Sequence, residues 1–320
     1  MQHYRVVLTP PERWESALDL VLKRYPLRFR AERKEVLMRR LEGAEPLRLE
    51  LWHAEDRGAK LRAPQHPIVA AALVEYQPGG VAMGSVPVVA GQRHEPAGVA
   101  ILRTWLTSLP QRGCRVLQIL AEEPLPLHRQ ILRHAGFPRL TSLLFMAWEA
   151  PGPISTLPIP EESPAEDFVI EPFGDQAEMW RRLEHVVEQT YQASLDCPEI
   201  SGLRSVSDTL TGYRLSAPWK PQLWFLLRQG AQDVGCLLLA DRAREETLEL
   251  VYMGVVPEYR GRGLGRVLIA EAKRQLAALG RKRLVLAVDV RNWPALCAYE
   301  KAGFTSFARA DVYQRLLVRS

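Results

Sequence analysis

Met253-Gly254-Val255-Val256-Pro257-Glu258-Tyr259-Arg260-Gly261-Arg262-Gly263-Leu264-Gly265 is the stretch on which the reading of this chain turns. Strand-forming residues stop at Pro257, a glycine-rich turn follows around Arg260, and a helical pattern runs from Arg266 to Ala278. In that order a chain presents backbone N–H groups to an anion. The first turn of a helix has unpaired donors and a partial positive charge, and glycines let a phosphate approach the main chain closely. Arg260, Arg262 and Arg266 add charge at the same place. A dinucleotide-binding turn would need the pattern G-x-G-x-x-G, whose third glycine falls on Arg266, and its strand should run straight into the first glycine, where Pro257 to Arg260 intervene. A plain capped surface turn explains the glycines but nothing downstream.

Downstream, Arg283 to Val290 is an apolar, β-branched run with the pattern of a buried strand, ending in Asp289 and Arg291. The segment from Asn292 to Phe304 follows, with Pro294 suited to a first helical turn and Gly303 to a helix C-terminus. Val255-x-Pro257-x-x-Arg260-x-x-Gly263-x-Gly265 resembles the acetyl-coenzyme A signature of the GNAT superfamily of N-acetyltransferases. Asn292-x-x-Ala295-x-x-x-Tyr299-x-x-x-Gly303-Phe304 is similar to the second motif of that superfamily at every named position. The resemblance implies that Val255, Val256, Arg260, Gly261, Arg262, Gly263, Leu264, Gly265, Arg266, Asn292 and Tyr299 bind acetyl-coenzyme A, with the backbone near Val255 polarising the thioester carbonyl. Asn292 would hold the pantetheine arm or cap its helix. No metal is implied.

An amine attacks a thioester only when neutral, so a base must take its proton, donors must stabilise the oxyanion, and the departing thiolate needs a proton. The resemblance gives the acid role to Tyr299, because a tyrosine at this position lies near the coenzyme sulfur in relatives, and a phenol can donate at neutral pH. The other reading of Tyr299 is a ring packed on an amphipathic helix. The base role falls to Glu249, six positions before Val255, as in histone-type acetyltransferases and mycothiol synthase. Among Leu248, Leu250 and Val251 its carboxylate would be partly desolvated, which raises a pKa. An exposed edge-strand glutamate is the alternative. This strand usually carries a bulge in the superfamily, so simple alternation does not assign the face of Glu249.

At 320 residues and 47% hydrophobic content the chain is long enough for two cores. No apolar stretch reaches membrane-spanning length and Met1-Gln2-His3-Tyr4-Arg5 has no signal-peptide pattern, so a soluble cytoplasmic protein is expected. Cys114, Cys197, Cys236 and Cys297 lack C-x-x-C spacing, which argues against zinc or a disulfide framework and leaves reduced thiols in packing roles. The proline-rich segment at residues 151–165 reads as a linker between a domain at 1–150 and a domain at 166–320.

The two halves are related. Shifting the sequence by 167 positions lays Ala135-Gly136-Phe137 on Ala302-Gly303-Phe304, Arg93 on Arg260, Gly98 on Gly265 and Val88-Val89 on Val255-Val256. A tandem duplication is read from this, two α/β (α+β) GNAT folds with mixed, mostly antiparallel sheets flanked by helices, in an arrangement similar to that of mycothiol synthase. In the first copy Glu249 faces Ala82, Gly263 faces Pro96, Asn292 faces Leu125 and Tyr299 faces Leu132. Proline cannot offer an N–H to a phosphate, and leucines cannot cap or protonate, so that copy is expected to be degenerate.

The acceptor amine should meet the insert between Val186 and Trp219, which carries Tyr191, Asp196, Cys197, Glu199, Arg204, Asp208, Tyr213 and Trp219. A net charge of +5 comes from arginines spread over both halves without a long basic run, which argues against nucleic acid, and coenzyme A is itself a polyanion. The function expected is acetyl transfer from acetyl-coenzyme A to an amine of a small molecule or peptide. A non-catalytic acyl-coenzyme A sensor and a protein-interaction scaffold are the alternatives.

Overall fold

Residues 3–58, 66–122, 125–150, 167–200 and 202–317 are described by a computed structural model; the proline-rich linker lies outside them. The first sequence repeat supplies β1 (Tyr4–Leu8), α1 (Trp14–Val21), α2 (Leu27–Leu41), β2 (Leu49–Asp56), β3 (Ile68–Gln77), β4 (Val81–Ser85), β5 (Val88–Val89), α3 (Glu95–Ser108), β6 (Val116–Glu122), α4 (Pro126–His134) and β7 (Arg139–Glu149). The second supplies β8 (Phe168–Pro172), α5 (Ala177–Tyr191), α6 (Val206–Leu215), β9 (Trp224–Gln229), β10 (Gln232–Arg242), β11 (Thr247–Val255), α7 (Leu264–Ala278), β12 (Arg283–Asp289), α8 (Trp293–Lys301) and β13 (Thr305–Leu316).

Two compact units result, Met1–Leu140 with Ala310–Ser320, and Thr141–Arg309. In the first, neighbouring strands run β1, β2, β3, β4, β6; in the second, β8, β9, β10, β11, β12. The pairs β4–β6 and β11–β12 are parallel and the others antiparallel. The sixth place in each unit is taken by the last strand of the other repeat. Ala310–Leu316 of β13 pairs antiparallel with β6 in the first unit, and Leu143–Glu149 of β7 pairs antiparallel with β12 in the second.

Alternation sets the faces of the first sheet: Leu49, Leu51, Ala71 and Leu73 pack with α1, while Trp52, Ala54, Ala70 and Ala72 pack with α3. In the second unit the central strands are buried over continuous runs, Trp224 to Leu227 and Val234 to Ala240, as expected where helices cover both faces. Helix α7 buries Leu264, Leu268, Ile269, Ala272 and Leu276, a helical stripe in which each fully covered leucine contributes about 2 kcal/mol. Cys114, Cys197 and Cys236 are buried free thiols, whereas Cys297 is exposed on α8 rather than packed. Among the described residues, no helix is long and apolar enough to cross a membrane.

Candidate active site

β11 and β12 begin as neighbours and then part. Thr247, Leu248 and Glu249 pair with Arg283, Leu284 and Val285, and the ladder ends there, although β11 continues to Val255. On its other edge β11 carries a bulge: Leu250 and Tyr252 pair with consecutive residues Leu239 and Leu238, leaving Val251 as the extra residue. A bulge bends and twists its strand, which turns β11 away from β12. A cavity of about 320 Å³ opens in the fork, lined by Leu250 to Val255 on one side and Ala287 and Val288 on the other. In the first unit the parallel ladder runs further before it ends. There β4 stays paired with β6 along all five of its residues, and Trp105, fully buried, packs where a Cβ on Gly84 would come within 2.8 Å of it.

At one end of the cavity lie Arg260, Gly261, Gly263, Leu264 and Gly265. Gly263 is the N-cap of α7 with φ 83°, a left-handed conformation that glycine adopts without steric cost. The first N–H groups of α7 have no helical acceptor and so are available to an anion at this end. The guanidinium of Arg266 reaches back to within 3.8 Å of where a Cβ on Gly263 would sit.

Three other loop residues have prior engagements. Arg260 donates to the carbonyls of Val255 (3.0 Å), Ala193 (3.2 Å) and Thr190 (2.9 Å), tying the loop to the end of α5. Arg262 donates to Glu258 O at 3.0 Å and lies over the Tyr259 ring, outside the lining. Val256 is 2% exposed in the core and its N–H goes to Val234 O at 2.9 Å, so it holds the strand rather than the cavity wall.

Helix α8 closes the opposite wall with Asn292, Pro294, Ala295, Ala298 and Tyr299. Asn292 caps the helix, its side-chain oxygen accepting from Ala295 N at 3.4 Å. Tyr299 is 6% exposed, its ring packs 5.6 Å from Phe304, and its hydroxyl makes no hydrogen bond to any described residue. Burial, and then the negative charge of Asp196, push its pKa up, so the phenol keeps its proton throughout the physiological range.

On the α5 side, the Thr190 hydroxyl donates to Val187 O and therefore accepts from Tyr252, 2.7 Å away. Tyr213 stacks on Tyr252 and Tyr191 meets it edge-on. Gly254 permits this contact, since a Cβ there would come within 2.8 Å of Thr190.

Glu249 is not brought into the cavity. It occupies the last paired position before the fork, half-buried, and one of its carboxylate oxygens accepts from Arg242 Nε (2.9 Å) and Nη2 (2.7 Å). Sequence reasoning missed Arg242, whose partnership with Glu249 is made across the β10–β11 hairpin, and also the Thr190–Tyr252 pair. Asp196, named among the residues of the acceptor insert, does line the cavity, as Thr190 does. Among the described residues, no group of three or more His, Cys, Asp or Glu is placed to hold a metal ion.

Residues 187–304 match the family model of the acetyltransferase (GNAT) family. Among relatives, the mycothiol acetyltransferase of Streptomyces bingchenggensis is 33% identical over 168 residues, 51% of each chain, and that of Thermomonospora curvata is 30% identical over 240 residues, 74% of each. Among solved structures, a GCN5-related N-acetyltransferase from Sphaerobacter thermophilus superimposes with a TM-score of 0.70 at 16% identity, covering 100% of this chain and 98% of that one. A tandem GNAT protein from the clavulanic acid biosynthesis pathway gives 0.61 at 14% identity over 99% of both chains. At such identities the structural likeness speaks for the fold alone. A forked strand pair beside a glycine-capped helix, the doubled strand order and a 30% identical relative covered over 74% of its length together place the chain in the GNAT family of acetyltransferases, as a member with two such folds in tandem.

Proposed function

We propose that this protein transfers an acetyl group from acetyl-coenzyme A to an amine, at one site in the second unit. The observation that carries the reading is the parting of β11 from β12 beside the glycine-capped N-terminus of α7. Unpaired strand edges can hydrogen-bond the amides of a pantetheine arm, and the helix N-terminus suits a pyrophosphate. Gly261, Gly263, Leu264 and Gly265 would hold the phosphates under the positive field of Arg260 and Arg266. Asn292 orders the start of α8, and Tyr299, kept neutral by burial, would give its proton to the departing thiolate.

Several features support a single site. In the first unit β4 stays paired with β6 along all five of its residues, Trp105 packs against Gly84, and the first turn of α3 carries Glu95 and Pro96 where the 167-position shift places Arg262 and Gly263. A carboxylate in that turn repels phosphate and a proline offers it no donor. Calorimetric titration with acetyl-coenzyme A is expected to show one site per chain; two sites would overturn the assignment to the second unit alone, and none would favour a scaffold.

With its carboxylate held by Arg242 outside the lining, Glu249 can take the amine proton only through water. Glu249→Gln is expected to flatten the acidic limb of the pH–rate profile, and an unaltered profile would assign the base to another group. That same ion pair is what favours the second reading, an acyl-coenzyme A sensor that binds without turnover; measurable acetyl transfer would exclude it. Because relatives carry the name mycothiol acetyltransferase, the amine those enzymes acetylate is the first acceptor to assay.

A further inference from the structure

The loop that follows α5 is held under strain from two directions. Ala193 and Cys197 have φ of 49° and 47°, a left-handed conformation unfavourable for a residue with a Cβ. At one end Arg260, from the glycine loop, donates to Thr190 O and Ala193 O at 2.9 and 3.2 Å. At the other, the Asp289 carboxylate accepts from Cys197 N and the Asp289 N–H donates to the Asp196 carboxylate, both at 3.1 Å. Asp289 is 0% exposed and fixed by Thr141 Oγ1 (2.8 Å), Arg291 N (2.9 Å) and the Arg291 guanidinium (2.7 Å). Burial pushes the Asp289 carboxyl up, but these donors outweigh it and bring it down to about 2, so it stays ionised.

Between the clamps, Ala193, Ser194, Leu195 and Asp196 form one wall of the cavity. Of the three carboxylates at the Cys197 end of the loop, Asp289 and Glu199 pair with the Arg291 guanidinium and Asp196 does not, while the Arg260 guanidinium is spent on backbone carbonyls at the other end. Among the described residues, no cation lies within ion-pair distance of Asp196. The groups whose charge it feels, or that feel its own, are Asp289 and Arg291, the Cys197 thiol, and the phenols of Tyr191, Tyr213 and Tyr299. Of these only Arg291 is positive. The Asp196 residue keeps an exposed flank, yet protein crowds its carboxylate enough to raise its pKa, burial being the main cause and the Asp289 charge adding to it. Tyr299, 6% exposed and with its hydroxyl making no hydrogen bond to a described residue, faces the same cavity.

We propose that Asp196 receives the ammonium form of the acceptor before it is deprotonated, and that Asp289 is a positioning residue that holds Asp196 there through the clamped loop. The proposal rests on acetyl transfer at the second-unit site and names the residue that meets the acceptor's positive charge. The ion pair orients the nitrogen beside the fork; its proton then leaves through the base, with no change in the enzyme's covalent structure.

The test is calorimetric titration of coenzyme A-saturated protein with ethanolamine, glucosamine and cysteinamide, with N-acetylglucosamine as the uncharged control. The intact protein is expected to bind at least one of the amines and not the control. Asp196→Asn should weaken that binding by about tenfold or more, the loss expected for a charge-assisted contact, while coenzyme A affinity stays within about twofold. Asp289→Asn should raise KM for the amine more than it lowers kcat and speed hydrogen exchange at residues 190–197, with coenzyme affinity again held. Failure of all three amines to bind, or unchanged binding by Asp196→Asn, would overturn the proposal while acetyl-coenzyme A binding at the fork stands. Absence of coenzyme A binding itself would overturn the acetyl-transfer reading, and this proposal with it.

Discussion

Gly263→Pro is expected to abolish acetyl-coenzyme A binding, weakening it by about a hundredfold or more. Gly263 caps α7 at φ 83°, whereas a proline ring fixes φ near −65°, so the loop cannot keep its path. The substitution also removes an N–H at the end of the cavity and reproduces Pro96 of the first repeat. Gly263→Ala separates the two effects: it keeps the N–H but places a Cβ in the left-handed region, a cost of about 1 kcal/mol that should weaken binding by roughly fivefold. Calorimetry measures both, and thermal unfolding of the same samples shows whether the second unit is still folded. Wild-type affinity in folded Gly263→Pro would remove the phosphate-loop assignment.

Tyr299→Phe is expected to lower kcat by about a hundredfold, within the range typical for loss of a general acid, with KM for acetyl-coenzyme A within about twofold. Phenylalanine keeps the ring, its packing on Phe304 and its burial, so the loss isolates the hydroxyl. That hydroxyl makes no hydrogen bond to a described residue, so its removal leaves no protein partner unsatisfied and little stability effect is anticipated. Steady-state kinetics at saturating acceptor decide the matter, and an unchanged kcat would return Tyr299 to a packing role.

What was legible in the sequence was local. Pro257, Gly263 and the apolar stripe after it announce a turn into a helix because each residue has a backbone reason to stand there. Asn292, Pro294 and Gly303 mark the ends of α8 in the same way. The expected bulge is present at Val251, and it explains why alternation alone could not orient Glu249. What escaped was long-range. Asp289 reaches Cys197 over 92 positions, and a hydrogen-bond partner at such a distance leaves no periodic trace; Arg242 and Glu249 are near in sequence, but the hairpin that pairs them sets their contact. The exchange of β7 and β13 escaped for a related reason: shifting by 167 positions shows that the two strands are equivalent, and equivalence cannot say which sheet each will join.

That exchange bears on the history of the chain. The first repeat carries the strand that borders β12, next to the fork and its cavity. Neither copy can be deleted, or split off as an independent gene, without taking an edge from its sibling. Each repeat thus completes the other's sheet, and the pair must be inherited whole.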